Sequence, residues 1–169
     1  MEDRLGNYMY VDVGGGSTEV NLLVKGELVC SKSYNIGTVR MLNDAVDFGE
    51  WKRLEADMRT LSEIYSGTNI IGSGGNINKL YRLAEKTDKK RQRISVIVLK
   101  SLYEKLKLLS FEERMQVFNL KPDRADVIVP ASEIFLTIAE ILHSEYIYVP
   151  VIGLADGIID GLYAANRNR

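Results

Sequence analysis

The chain has 169 residues, 46% hydrophobic and 27% charged, enough for one domain spanning residues 1–169 with a proper core. A formal net charge of −1 gives no global positive field, which argues against nucleic acid or a membrane surface as partner and leaves any polyanion to a local site. One cysteine, Cys30, excludes an internal disulfide and a cysteine-based zinc cluster, and the absence of an apolar targeting segment or membrane-length run makes a cytoplasmic protein the expectation.

Tyr8 to Val13 is an apolar run with strand character, and Gly14, Gly15 and Gly16 follow it. A second strand pattern runs from Ser17 to Val24, with Val20, Leu22 and Val24 on one face. Lys25-Gly26 is a two-residue turn signal, and Glu27 to Tyr34 reads as a third strand that holds Cys30 as a small core residue. The chain therefore opens as an antiparallel three-stranded meander. Gly37 to Asp47 reads as a short helix and a loop, punctuated by Phe48-Gly49. Trp51, Leu54, Met58, Leu61 and Tyr65 recur at helical spacing, with Trp51 as a core anchor and Gly67 as the stop.

Asn69 to Ile71 is a short strand, Gly72-Ser73-Gly74-Gly75 a second glycine turn, and Ile77, Leu80, Tyr81 and Ala84 the apolar face of a helix. Strand, glycine turn, helix can present amides and a helix N-terminus to a phosphate or nucleotide; close packing of helix on strand is the equally open alternative. It is no dinucleotide fingerprint, since the third glycine of that motif would fall on Ile77. The basic run Lys86 to Arg93 reads as a solvated loop, with a polyanion patch as the alternative. Ser95 is placed to N-cap a helix carrying Leu99, Leu102, Leu106 and Leu109, and Ser110-Phe111-Glu112-Glu113 forms a capping box. Asp123 to Leu142 looks like one long, well-buried helix that Pro130 breaks or kinks. A last strand covers Glu145 to Val149, and a last helix Leu154 to Ala165. His143, the only histidine, has no partner motif around it.

The chemistry concentrates at Asp12 to Glu19. Three glycines let a ligand approach the backbone, and their amides with the hydroxyls of Ser17 and Thr18 can cradle phosphate oxygens. Asp12 would repel that phosphate by about 4 kcal/mol at 4 Å and an effective dielectric near 20, so a cation or water is needed between them. Mg²⁺ suits the place, because it binds one or two carboxylates plus phosphate oxygens, and Glu19 is a second acid for the same ion or water. A plain hairpin turn with a solvated aspartate is the bland alternative.

Asp12-Val13-Gly14-Gly15-Gly16-Ser17-Thr18-Glu19 resembles the second phosphate motif of the exopolyphosphatase/guanosine pentaphosphate phosphatase family, within the sugar kinase, Hsp70 and actin superfold. The resemblance continues, in order, through Asn35 to Met41, Ile71 to Ile77, Arg124 to Pro130 and Gly153 to Ile158. It implies a ribonuclease-H-like α/β half-domain: a mixed five-stranded sheet, three antiparallel strands plus two parallel ones, flanked by helices with a helical insertion. It implies Mg²⁺-assisted release of terminal phosphate from polyphosphate or a guanosine nucleotide. Asp12 and Glu19 would hold metal or water as supporting catalytic groups. Gly14, Gly15, Gly16, Ser17 and Thr18 would cradle phosphate, with Arg40 as support, and Gly72, Ser73, Gly74 and Gly75 would meet phosphate or nucleoside. The family's first phosphate loop and its water-orienting glutamate belong to an N-terminal half-domain that is absent here, so this chain alone should be inactive; a stand-alone phosphate or nucleotide sensor is the alternative. A cleft face left open by that half would also permit a homodimer.

Overall fold

A computed structural model describes residues 6–150. The final predicted helix and the Gly153 to Ile158 signature lie outside them. One six-stranded sheet runs in the order β3-β2-β1-β4-β6-β5. The meander comprises β1 (Asn7–Val13), β2 (Thr18–Val24) and β3 (Glu27–Tyr34), and both of its pairings are antiparallel. Lys25 and Gly26 both take positive φ, +52° and +86°, the twist that a two-residue hairpin needs. β4 (Asn69–Ser73) runs parallel to β1, and β6 (Tyr146–Tyr148) runs parallel to β4.

The expected five strands become six. β5 (Arg93–Ser95) pairs antiparallel with β6 at the sheet edge, starting at the last residue of the stretch read as a basic loop. Three residues are too few to show a period-two pattern. The strand is held instead by tertiary contacts, with the Arg93 guanidinium stacked 3.7 Å from the Tyr146 ring.

The helices follow their caps. α1 (Thr38–Leu42) is followed by α2 (Phe48–Ile64). Phe48-Gly49, expected as a break, opens α2 because the Asp47 side chain accepts from the Gly49 amide at 2.6 Å. α3 (Gly74–Leu83) follows β4 directly. Ser95 caps α4 (Val96–Leu108), and Ser110 with Glu113 closes a full capping box on α5 (Phe111–Phe118). The expected long helix is two: α6 (Pro122–Ala125) and α7 (Ile128–Ile141). Pro130 stands in the first turn of α7, where its missing N–H costs nothing, so the break falls before it.

Alternation along β1 sends Met9, Val11 and Val13 into the core and Tyr8, Tyr10 and Asp12 to the other face. Val20 and Leu22 of β2 join the first set, as do Leu54 and Met58 of α2, Leu80 of α3 and Ile134, Phe135 and Ile138 of α7. Cys30 and Trp51 pack at the margin of this core. Among the described residues, no helix is long and apolar enough to cross a membrane.

Candidate phosphate site at the ends of β1 and β4

Because β1 and β4 are parallel neighbours with Asp12 opposite Ser73, the two glycine segments that follow them emerge side by side. The C-terminal ends of adjacent parallel strands are where open α/β sheets form ligand crevices.

The first loop is shaped by α1. Gly14 donates its amide to the Ser17 carbonyl at 2.9 Å, which closes the turn. The three loop carbonyls then point at the start of α1. Gly14 O accepts from the Thr38 amide at 3.0 Å, Gly15 O from the Val39 amide at 2.9 Å, and Gly16 O from Arg40 Nε at 2.7 Å. A helix start carries unfilled N–H groups, and here the loop fills them. In a trans peptide the N–H points opposite to the carbonyl of the same unit. The amides of Gly15, Gly16 and Ser17 therefore face away from α1, and among the described residues they donate to no carbonyl. Three consecutive outward amides form a concavity suited to an anion.

Gly37 makes this docking possible. A Cβ there would lie 2.4 Å from the Gly15 carbonyl oxygen and 2.5 Å from the Gly16 carbonyl carbon. Thr18 is a correction to the expected cradle. Its side chain is fully buried and its hydroxyl donates to the Ile36 carbonyl at 2.7 Å, so it anchors the loop and offers no hydroxyl to a phosphate. Arg40 braces the loop through its bond to the Gly16 carbonyl.

The two acids meet as neighbours. Asp12 of β1 is directly opposite Glu19 of β2, on the same face, and both are exposed. Glu19 Oε1 accepts from the Ser17 hydroxyl at 3.0 Å and the Ser33 hydroxyl at 2.8 Å. Like charges directly opposite one another on a sheet destabilise it, which makes a cation between them favourable. Among the described residues no group of three or more His, Cys, Asp or Glu could hold a metal alone. Two carboxylates with hydroxyls beside an anion site fit an ion that arrives with phosphate oxygens, which is how Mg²⁺ is commonly held.

The second segment divides into two roles. Gly72 lies within β4, and a Cβ there would come 2.7 Å from Ile77 Cγ1, so that glycine serves packing of helix on strand. Ser73 is the N-cap of α3 and faces the Asp12 position. Gly74 takes φ +88°, and a Cβ there would sit 2.6 Å from Asp12 Oδ1. Gly75 lies under the Arg124 guanidinium, 3.3 Å from where its Cβ would be.

Asn76 and Arg124 join the two segments, and no local pattern singled either out as a site residue. The buried Asn76 donates Nδ2 to the Val13 carbonyl at 2.9 Å and accepts from Arg124 Nη1 at 3.2 Å. Arg124 comes from α6, far along the chain; only its place in the Arg124 to Pro130 motif gave a signal. It sets a positive charge beside the second glycine turn, at Gly75.

A model of the Ppx/GppA phosphatase family matches residues 4–165. The chain belongs to that family. The chain is 24% identical over 175 residues to the guanosine-5'-triphosphate,3'-diphosphate pyrophosphatase of Aeromonas salmonicida, covering 96% of this chain and 35% of that protein. An Aquifex aeolicus Ppx/GppA phosphatase structure superposes with a TM-score of 0.69 at 28% identity, over 91% of this chain and 56% of the other. An exopolyphosphatase from Cytophaga hutchinsonii shares the fold, with a TM-score of 0.70 at 20% identity over 89% and 54%. This Ppx/GppA chain thus spans about a third of the curated relative and just over half of each solved one.

Proposed function

We propose that this chain is the phosphate-gripping half of a Mg²⁺-dependent phosphoanhydride hydrolase that removes terminal phosphate from polyphosphate or guanosine pentaphosphate. The observation that carries the reading is the reversal of the Gly14–Ser17 loop: its carbonyls are spent on α1, which leaves three amides for an anion. Each hydrogen bond to a charged partner contributes about 1.5–3 kcal/mol. Bound Mg²⁺ would supply charge neutralisation between the phosphate and the acids. Asp12 and Glu19 would hold it, and Ser17 would keep Glu19 oriented through its hydroxyl. The amides of Gly15, Gly16 and Ser17 would stabilise charge building on the phosphoryl oxygens. Arg124 and the start of α3, with Gly74 and Gly75, would receive the remainder of the substrate.

The reading includes a second half-domain that supplies the water-orienting carboxylate. Val39 of α1, beside Gly15, is exposed, as are Leu42 of α1 and Phe48 at the start of α2, Phe48 to 70%. Exposed apolar groups of this kind suit a surface that another domain covers. Incubation with tripolyphosphate and Mg²⁺ should release no phosphate from this chain alone, while calorimetry should detect binding. Turnover by the chain alone would overturn the requirement for a partner half; absence of any binding would overturn the loop's role. Binding without turnover, even after a family N-terminal half is added, would make the chain a regulatory phosphate sensor.

A further inference from the structure

A cavity of about 740 Å³ opens between the end of α3, the hairpin leading into β5 and the start of α4. That size is in the range of small-molecule sites, roughly 300–1,000 Å³. It is remote from the glycine loop. α3 begins at the loop end of the sheet and the cavity meets its last turn at Tyr81 and Arg82, a rise of about 11 Å. Tyr146, which lines it, is the first residue of β6 and so lies at the opposite end of the parallel strands.

The wall carries four cations, Arg82, Lys86, Lys89 and Arg93, against two carboxylates, Glu85 and Asp88. Both carboxylates are already engaged. Glu85 pairs with Lys105 at 2.7 Å, and Asp88 pairs with Arg93 at 3.1 Å while accepting the Arg91 amide at 3.0 Å. Those hydrogen bonds from Arg91 and Arg93 hold the Asp88 carboxyl below its usual range. Arg82, Lys86 and Lys89 are left exposed around the mouth. The loop that carries Lys89 is fixed, because Asp88 and Arg93 exchange two backbone hydrogen bonds at 3.0 and 3.1 Å. A chain of net charge −1 has therefore built a fixed local excess of positive charge around a concavity.

We propose that this cavity is a second anion site, separate from the glycine loop, that takes a multiply charged phosphate. Arg82, Lys86 and Lys89 neutralise its charge, and the Arg93–Asp88 pair holds the wall. The site does not depend on what the glycine loop binds.

The test is amide chemical-shift mapping of the full chain titrated with tripolyphosphate, and separately with GTP, at low salt. Saturable shifts at Arg82, Lys86, Thr87, Lys89 and Tyr146 are expected, distinct from any at Gly15 to Ser17. The triple variant Arg82→Gln, Lys86→Gln, Lys89→Gln should bind about tenfold more weakly at this site, with loop shifts unchanged. Stronger shifts of Tyr81 and Tyr146 with GTP would identify a nucleotide as the source of the phosphates, and equal shifts the phosphate chain alone. Shifts confined to the glycine loop, or spread with one midpoint over unrelated lysines such as Lys52 and Lys121, would overturn the proposal.

Discussion

Asp12 and Glu19 set the terms at the scale of single residues. They are opposed across β1 and β2, and among the described residues no lysine or arginine pairs with either, so relieving the repulsion should stabilise the free protein. Asp12→Asn is expected to raise the unfolding free energy slightly, by about 0.2–1 kcal/mol in urea denaturation, while abolishing Mg²⁺-dependent phosphate binding. Opposite signs for stability and function are what a carboxylate kept for a ligand should show. Two glycines make a matched pair. Gly37→Ala forces a methyl into the loop backbone and should cost about 1–3 kcal/mol by chemical denaturation. Gly16→Ala meets no atom within 4 Å, so its stability should stay within about 0.5 kcal/mol while phosphate affinity falls.

Acid sensitivity belongs to the same scale. Burial works against the Asp57 carboxylate, but hydrogen bonds from Lys32 and Tyr34 win and hold its pKa below the usual value. Tyr34 itself is pushed well up, by burial first and then by its bond to Asp57. A depressed carboxylate gives stability that is complete above the unfolded pKa of about 3.9 and is lost as pH falls through the folded value. Asp57→Asn should therefore cost about 0.5–1 kcal/mol at pH 7 and little at pH 2, read from urea unfolding at each pH.

At the scale of elements, what sequence patterns revealed and what they hid have separate causes. Turns and caps were legible because their chemistry is local: Lys25-Gly26, Ser95 and Ser110 with Glu113 each act within four residues. β5 was hidden because only β6 and Tyr146 make Arg93–Ser95 a strand. The split between α6 and α7 was displaced because Pro130 is tolerated in a first helical turn. At the site, the glycine loop was plain in the sequence, but the inward turn of Thr18 was not, since alternation in β2 and a carbonyl 18 residues away decide it. The tie between the two glycine segments was equally invisible. Asn76→Ala would strand the Val13 carbonyl in a buried place, and a loss of about 1–3 kcal/mol is expected from thermal or denaturant unfolding. Hydrogen exchange should quicken in both glycine segments at once if the tie couples them.

For the whole molecule, β1 and β4 put two glycine segments at one end of the sheet, while the basic cavity lies toward the other. Family relatives extend well beyond the length matched here, and Val39, which lies beside Gly15, is exposed. The central claim is that the amides of Gly15 to Ser17 grip a phosphate while Asp12 and Glu19 hold its divalent ion. Paramagnetic Mn²⁺, added with imidodiphosphate, tests it directly through amide line broadening. The account predicts selective broadening at Asp12 to Glu19 that needs both ion and anion and vanishes in Asp12→Asn. No broadening at the loop, or broadening at the loop that persists in Asp12→Asn, would contradict it.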